Sequence, residues 1–486
     1  MSALAAFGKM TGKMCLSVGK AWLVAVGLML VGLPLSAQML RTSYFMEGSQ
    51  YKMQLNPALA PDRGYVDLPV VGMTTGWVRS DALNLDDISD LIRHGDNDDY
   101  YTTDKFHGKL KDVNRASTAI GTELIAAGWW HGKGFLSFNV GVKADANIRV
   151  PKELVSFMRD MKGLNTNDYS DFYRDLSNEE LNINAYTEIG AGYTRLVNDR
   201  LSIGGRVKLL LGQGNLRLKI KDASVKTNLT GIDPHLDWSN ATIQDVIHAQ
   251  GTASIQATAD LESSFEGLDL VTNDKGYIDQ VKFKASNMGV AGWGAAVDFG
   301  VAYRVSDDWS LSAAITDLGF ISWSKGCTEV AHAVTDDLTY DSEDPGDVSR
   351  FAGIVGHGEA INLHLIRLTP ESRKSTSRQT SLATTMALGC EYALVRDRLR
   401  LGALFTNRFS SPGSESELTL SLNYHPRSRL EFSLSYSPVL CGGKAIGAAM
   451  KLGPLFIGTD YLSFTSKAKC WNGLIGLSIP LGRRAE

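Results

Sequence analysis

Charged side chains recur at every second position in three stretches of the chain. In LSIGGRVKLLLG (from Leu201), Arg206 and Lys208 alternate with Val207 and Leu209. In VDFGVAYR (from Val297), Asp298 and Arg304 alternate with Phe299, Val301 and Tyr303. FLSFNVGVKAD (from Phe135) sets Lys143 and Asp145 against Val140, Val142 and Ala144, and Arg149 follows. A period of two puts the charges on one face of a strand and the apolar residues on the other. Such a face has two uses. It lines an anion-attracting lumen, or it neutralises itself, with Arg206, Lys208, Arg304, Lys143 and Arg149 set against Asp145, Glu188 and Asp298. Charge balance in a packed interior is the favoured reading.

Other arrangements that do chemistry are missing from the sequence. The nine histidines form no HExxH or HxH pattern and no pair at ligand spacing with a carboxylate. Neither GxSxG nor a phosphate-binding glycine loop occurs. No catalytic residue, metal or cofactor is assigned, and the chain reads as a non-enzyme. An enzyme here would need a serine or histidine nucleophile paired with a base on a neighbouring strand. The acids Asp96, Asp98 and Asp99, and the run DSEDPGD (Asp341–Asp347), lack the twelve-residue calcium loop with its closing glutamate. Both read as solvated external loops.

The elements that position the charged faces are strands. Alternation repeats in WSLSAAIT from Trp309, and a hairpin unit recurs four times: YTRLVNDRLSIGGRV, YRVSDDWSLSAAI, YALVRDRLRLGALF and YHPRSRLEFSLSY. Each couples a tyrosine near a strand end, a short polar turn and a fresh alternating strand, as antiparallel hairpins require. Between them, residues 81–117, 152–182, 222–251, 263–290 and 325–381 are polar and variable, and PKELVSFMRDMKGL followed by NDYSDFYRDLSNEELN has helical composition and spacing. Short turns alternating with long insertions are the pattern of an outer-membrane barrel. The expectation is an all-β, up-and-down antiparallel barrel of roughly fourteen strands. A soluble sandwich shows the same alternation. The aromatics Tyr193, Tyr303, Trp309, Tyr392 and Tyr424 at hairpin ends favour the barrel, since an interfacial girdle belongs there.

The head of the chain supports export. The first 37 residues hold Lys9, Lys13 and Lys20 and no acid, then an apolar run from Ala21 to Leu35 ending in Leu35-Ser36-Ala37. This describes a signal peptide (1–37) cleaved after Ala37. The run falls short of the roughly 20 residues a spanning helix needs. Losing three lysines takes the net charge from −4 to −7, which gives no footing for nucleic acid. Cys327, Cys390, Cys441 and Cys470 remain, with no CxxC pair, either as up to two disulfides or as small strand residues.

Residues 55–64, LNPALAPDRG, carry two prolines in five positions. Such a piece joins neither helix nor sheet interior. NPAL at Asn56–Leu59, the stretch YRVSDDWSLSAAITDLGFISWS (Tyr303–Ser324) and the closing GLIGLSIPLG (Gly473–Gly482) together resemble an uncharacterised Bacteroidota-type outer-membrane barrel family. More distantly the chain is similar to the long-chain fatty acid transporter superfamily and to the outer-membrane shuttle protein of type IX secretion. The resemblance implies a plug at 38–64 containing Asn56, Pro57 and Ala58, and a barrel over 65–486. It implies outer-membrane lipid and the barrel assembly machinery as partners, and a hydrophobic ligand. The long external loops keep a protein partner open as the alternative. The chain departs from many such barrels in ending Arg483-Arg484-Ala485-Glu486 rather than on an aromatic residue.

Overall fold

The computed structural model describes residues 40–69, 72–93, 100, 102–238, 241–266, 268–272, 278–283, 289–334, 338–348, 368–370, 377–396, 398–410, 413–427, 430–440, 443–462 and 469–483. Fourteen wall strands close on themselves. They are β1, in two pieces (Arg63–Asp67 and Met73–Ser80), β2 (Val113–His131), β3 (Gly134–Pro151), β4 (Glu179–Leu196), β5 (Leu201–Thr230), β6 (Gly292–Arg304) and β7 (Trp309–Trp323). The ring continues with β8 (Thr384–Val395), β9 (Leu399–Phe409), β10 (Glu415–Arg427), β11 (Leu430–Leu440), β12 (Gly443–Leu452), β13 (Leu455–Thr459) and β14 (Cys470–Arg483). Every neighbouring pair is antiparallel, and β14 returns to both pieces of β1.

The alternation explains the wall. Val207, Leu209, Phe299, Val301, Leu311 and Ile315 are exposed on the outside, while Lys208, Asp298 and Ala314 are buried within. An apolar belt facing lipid and a polar lumen is the outer-membrane pattern. Trp129, Tyr193, Tyr303, Trp309 and Tyr424 lie exposed near the short turns, and Tyr392 packs on Trp309 with ring centroids 4.8 Å apart.

Two of the irregularities in the wall bear on its interior. One is the gap in β1: Asp67 pairs with Ala126 and Met73 with Glu123, so the register breaks between Asp67 and Met73. The other is in β7, where Asp317 has a positive φ of 58° and the register shifts. Outward residues are Trp309, Leu311 and Ile315 before it, and Leu318 and Phe320 after it. The bulge turns Asp317 inward from a parity that would face lipid.

The outer end is more ordered than the composition of the loops implies. A bilayer crossing needs only about 9–11 residues, yet β5 has 30. Its far half continues into 222–230, a stretch expected to be loop, because KDASVKTNLT also buries alternate residues such as Ala223 and Val225. The strand Gln250–Phe265 pairs along that half, and Thr328–Val334 and Leu338–Asp341 pair with it in turn. Around them Tyr169, Phe172, Leu229, Leu236, Trp238 and Tyr340 form an apolar core outside the barrel. A helix at Lys152–Met161 sits where the sequence predicts one. Residues 167–182, expected to be helical as well, instead form a 3₁₀ turn at Tyr169–Asp171, a strand at Phe172–Asp175 paired with the far half of β5, and the start of β4. Cys470 is in a disulfide, while Cys327 and Cys390 are free.

Candidate functional site

Before the first wall strand, residues 40–62 run inside the barrel. Two short 3₁₀ turns, Arg41–Ser43 and Gln50–Gln54, are joined by irregular backbone whose groups bond to the wall and to each other. The first turn is fixed by a buried carboxylate. Asp460 accepts from the Arg41 and Thr42 amides at 3.1 and 2.8 Å, from the Thr42 hydroxyl at 2.6 Å and from Asn472 Nδ2 at 2.9 Å. The Arg41 guanidinium pairs with Glu417 and donates to Thr406 Oγ1 at 3.0 Å. Neither Asp460 nor Glu417 was singled out by the sequence.

Asn56, Pro57 and Ala58 dock on β4–β7. Asn56 is fully buried; its Nδ2 donates to the Tyr44 hydroxyl at 3.0 Å and reaches the carbonyls of Val301 and Ala313 at 3.4 Å. Its Oδ1 accepts from the Ala58 amide at 2.9 Å, closing an Asx turn. Thr194 donates to the Pro57 carbonyl at 2.5 Å and Ser202 to the Ala58 carbonyl at 2.8 Å. The close approach needs two glycines that are register partners, Gly204 and Gly300. A Cβ on Gly204 would run into the Pro57 carbonyl, and one on Gly300 into Asn56 Oδ1 and Pro57.

The second turn meets the wall at the break in β1. Gln50 Nε2 donates to Asp67 Oδ1 at 3.0 Å, the Tyr51 hydroxyl to the Gly72 carbonyl at 2.6 Å, and Gln54 Nε2 to Glu123 Oε1 at 2.6 Å. All three contacts land on the edges of the gap or on the strand beside it.

Of the eight charged residues singled out from alternation, Lys143, Glu188, Arg206, Lys208 and Asp298 come together. Asp145 instead accepts from Asn147 and Asn184, and Arg149 donates to the Asn178 carbonyl. Lys208 Nζ lies 2.8 Å from Asp298 and 2.6 Å from Asp317, and Lys143 Nζ lies 2.6 Å from Glu188. Arg206 donates to Asn139 Oδ1 at 2.8 Å and stands 3.9 Å from Asp298. Asp298 Oδ1 also accepts from the Asp317 amide at 2.7 Å. These groups are paired across β3–β7. Arg304 is apart, exposed at the short-turn end of β6. Asp317 was missed, although an acid at lipid-facing parity in mid-strand was the signal for a bulge.

Three cavities flank this framework. A lumen cavity of about 610 Å³ is lined by Glu123, Lys143, Asp145, Asn184, Arg217 and Arg378, with Gln54 and Leu55 on its floor and Met73 at its side. Below the Gln50–Gln54 turn, a second cavity of about 300 Å³ is lined by Gln50, Tyr51, Tyr65, Lys451 and Pro480. At the outer end lies a small apolar pocket of about 70 Å³, lined by Val78, Leu83, Ile88, Phe106, Val155 and Leu181. It shares Asn147 with the lumen cavity. Of the acid clusters, Asp96, Asp98 and Asp99 lie outside the described residues. The Asp341–Asp347 loop spends its carboxylates on its own amides, Asp341 on Glu343 at 2.9 Å and Asp344 on Gly346 at 2.7 Å.

A family model matches residues 57–460, from the docked Pro57 to the clamp at Asp460. The chain belongs to this family of unknown function, DUF5723. No curated protein matches it by sequence. Among solved structures it is similar to the P. putida toluene transporter TodX, at 11% identity and a TM-score of 0.38 over 90% of this chain and 95% of that one. The Ralstonia pickettii toluene transporter TbuX is similar at 8% identity and 0.38, over 90% and 95%. A Pseudomonas aeruginosa FadL homologue is similar at 10% and 0.38, over 92% and 98%. The closed strand pairing, rather than these likenesses, establishes the fold of this DUF5723 chain.

Proposed function

We propose that the chain is a transporter in the outer membrane of a Gram-negative bacterium, passing a hydrophobic small molecule with a polar end through a plugged barrel. One observation carries this: an apolar pocket at the outer end adjoins a polar lumen cavity whose floor is the inner segment and whose side reaches the break in β1. The apolar part of the ligand is captured between the loop helices and β1–β3, where no polar group competes for it. Its polar end enters a cavity rich in amides, guanidinium groups and carboxylates. Residues 40–62, up to the start of β1 at Arg63, act as the plug, with Asn56, Pro57 and Ala58 as its anchor. Release sideways at the break in β1 between Asp67 and Met73 spares the apolar part a passage through water.

Native mass spectrometry and vesicle uptake test this reading together. Purified protein retains an amphiphile, and vesicles carrying the barrel take up a fluorescent long-chain carboxylate faster than empty ones. Absence of any bound amphiphile, with uptake equal to empty vesicles, sinks transport. A second reading is favoured by the apolar core around Trp238 and Tyr340 outside the barrel. It makes the chain a scaffold or secretion shuttle that holds a protein partner through its external loops. A stoichiometric partner in a mild-detergent pull-down, without uptake, supports that reading.

A further inference from the structure

The short-turn rim is rich in basic side chains. Exposed basic residues lie on four consecutive turns: Lys133 between β2 and β3, Arg195 and Arg200 around the turn from β4 to β5, Arg304 at the turn from β6, and Arg396 and Arg398 between β8 and β9. The sequence continues the series at the next turn, β10 to β11, with Arg427 and Arg429, while the turn from β12 to β13, Gly453-Pro454, is without charge. The described acids on the same arc are Asp199, Asp307 and Asp308. Arg396 occupies two of them, reaching Asp308 at 2.8 Å and Asp307 at 3.6 Å. Lys133, Arg195, Arg200, Arg304 and Arg398 have no ion pair among the described residues.

Depth decides what this arc meets. The same strands carry the exposed Trp129, Tyr193, Tyr303 and Trp309, which mark the membrane interface. Arg195 shares its outward face with Tyr193, and its Nη1 lies 3.5 Å from the Tyr193 hydroxyl. A guanidinium at the level of an interfacial tyrosine stands among lipid headgroups. Phosphate suits it, because the planar fork donates to two phosphate oxygens at once.

We infer that this arc binds the phosphate groups of anionic glycerophospholipids in the surrounding leaflet. The inference needs the barrel in its membrane but not the transport reading. The arc fixes the depth of β2–β9 in the bilayer and recruits negatively charged lipid to these turns.

The test is native mass spectrometry of the full-length protein in detergent, titrated in parallel with phosphatidylglycerol and phosphatidylcholine. Phosphatidylglycerol is expected to bind roughly tenfold more tightly, the preference shrinking as salt is raised. A variant carrying Lys133→Gln, Arg195→Gln, Arg200→Gln, Arg304→Gln and Arg398→Gln is expected to lose that preference while keeping heat-modifiable gel mobility. If that variant does not fold, Arg195→Gln with Arg200→Gln decides, with a partial loss expected. Equal binding of the two lipids by the unaltered protein overturns the inference, as does a preference that survives the substitutions. Displacement of phosphatidylglycerol by inorganic phosphate at constant ionic strength would reassign the arc to free anions and overturn it as well.

Discussion

The inner segment touches the wall in two ways. On β4–β7 its backbone is bound by Thr194 and Ser202, its Asn56 amide reaches wall carbonyls, and the Gly204–Gly300 pair admits it at van der Waals distance. The same sector carries the Lys208–Asp298–Asp317 cluster in the wall. At β1, contact rests on three side chains, Gln50, Tyr51 and Gln54, reaching a strand that is already interrupted. A backbone bound into a glycine seat moves only if the wall moves. Side-chain amides holding two carboxylates exchange for water at little cost. The comparison teaches that one sector is the anchor and the other is the side where the segment yields.

The largest expected effect comes from breaking the anchor sector's charges. Lys208→Met leaves Asp298 and Asp317 buried without their cation, and removing one partner of a buried pair costs about 3–5 kcal/mol. The temperature at which the barrel loses its fast-migrating gel form should fall clearly. Unchanged heat stability would show that this sector does not depend on its ions. Next in size is Gly300→Val, which puts a side chain where Asn56 and Pro57 sit. Overpacking of this kind costs about 1–3 kcal/mol. It should expel the segment, raising single-channel conductance in planar bilayers as well as lowering heat stability.

Asn56→Ala and Gln54→Ala separate the two sides directly. Asn56→Ala removes the link to Tyr44 and the wall carbonyls and the Asx turn, at about 1–2 kcal/mol. It should loosen the barrel and raise leak together. Gln54→Ala removes one amide from Glu123, with less effect on melting, and should raise uptake of the fluorescent carboxylate. If both substitutions changed leak and stability in the same proportion, anchor and yielding side would be one unit.

Much of this was legible in the sequence, for a physical reason. Period two is strict where one face meets lipid, so the wall, the girdle aromatics and the inward Lys143, Arg206, Lys208 and Asp298 could be read from parity alone. LNPALAPDRG was legible through its prolines, which forbid the ladder. What parity cannot see is a shift in parity. Asp317 reads as outward until the β7 bulge is known, and the break between Asp67 and Met73 lies within a stretch short enough to pass for one strand. Asp460 and Glu417 were hidden differently, because their partners Arg41 and Thr42 lie more than 370 residues away in sequence. The far half of β5 reads as loop because its polar composition outweighs its alternation.

The smallest effect belongs to a charge pair on the exposed short-turn rim of the anchor sector. Asp308, in the turn before β7, accepts from Arg396 Nε at 2.8 Å, and that hydrogen bond holds its carboxyl below the usual carboxylate range. A depressed value means that the folded state favours the ionised form. The stabilisation is then present above the ordinary carboxylate pKa and is lost as pH falls through the depressed one. Water screens this exposed pair, as it does most surface ion pairs. Asp308→Asn should therefore leave heat stability at neutral pH unchanged within error and flatten only its acid limb. A drop at neutral pH comparable to that of Lys208→Met would mean that the exposed rim, and not the buried cluster, holds the anchor sector together.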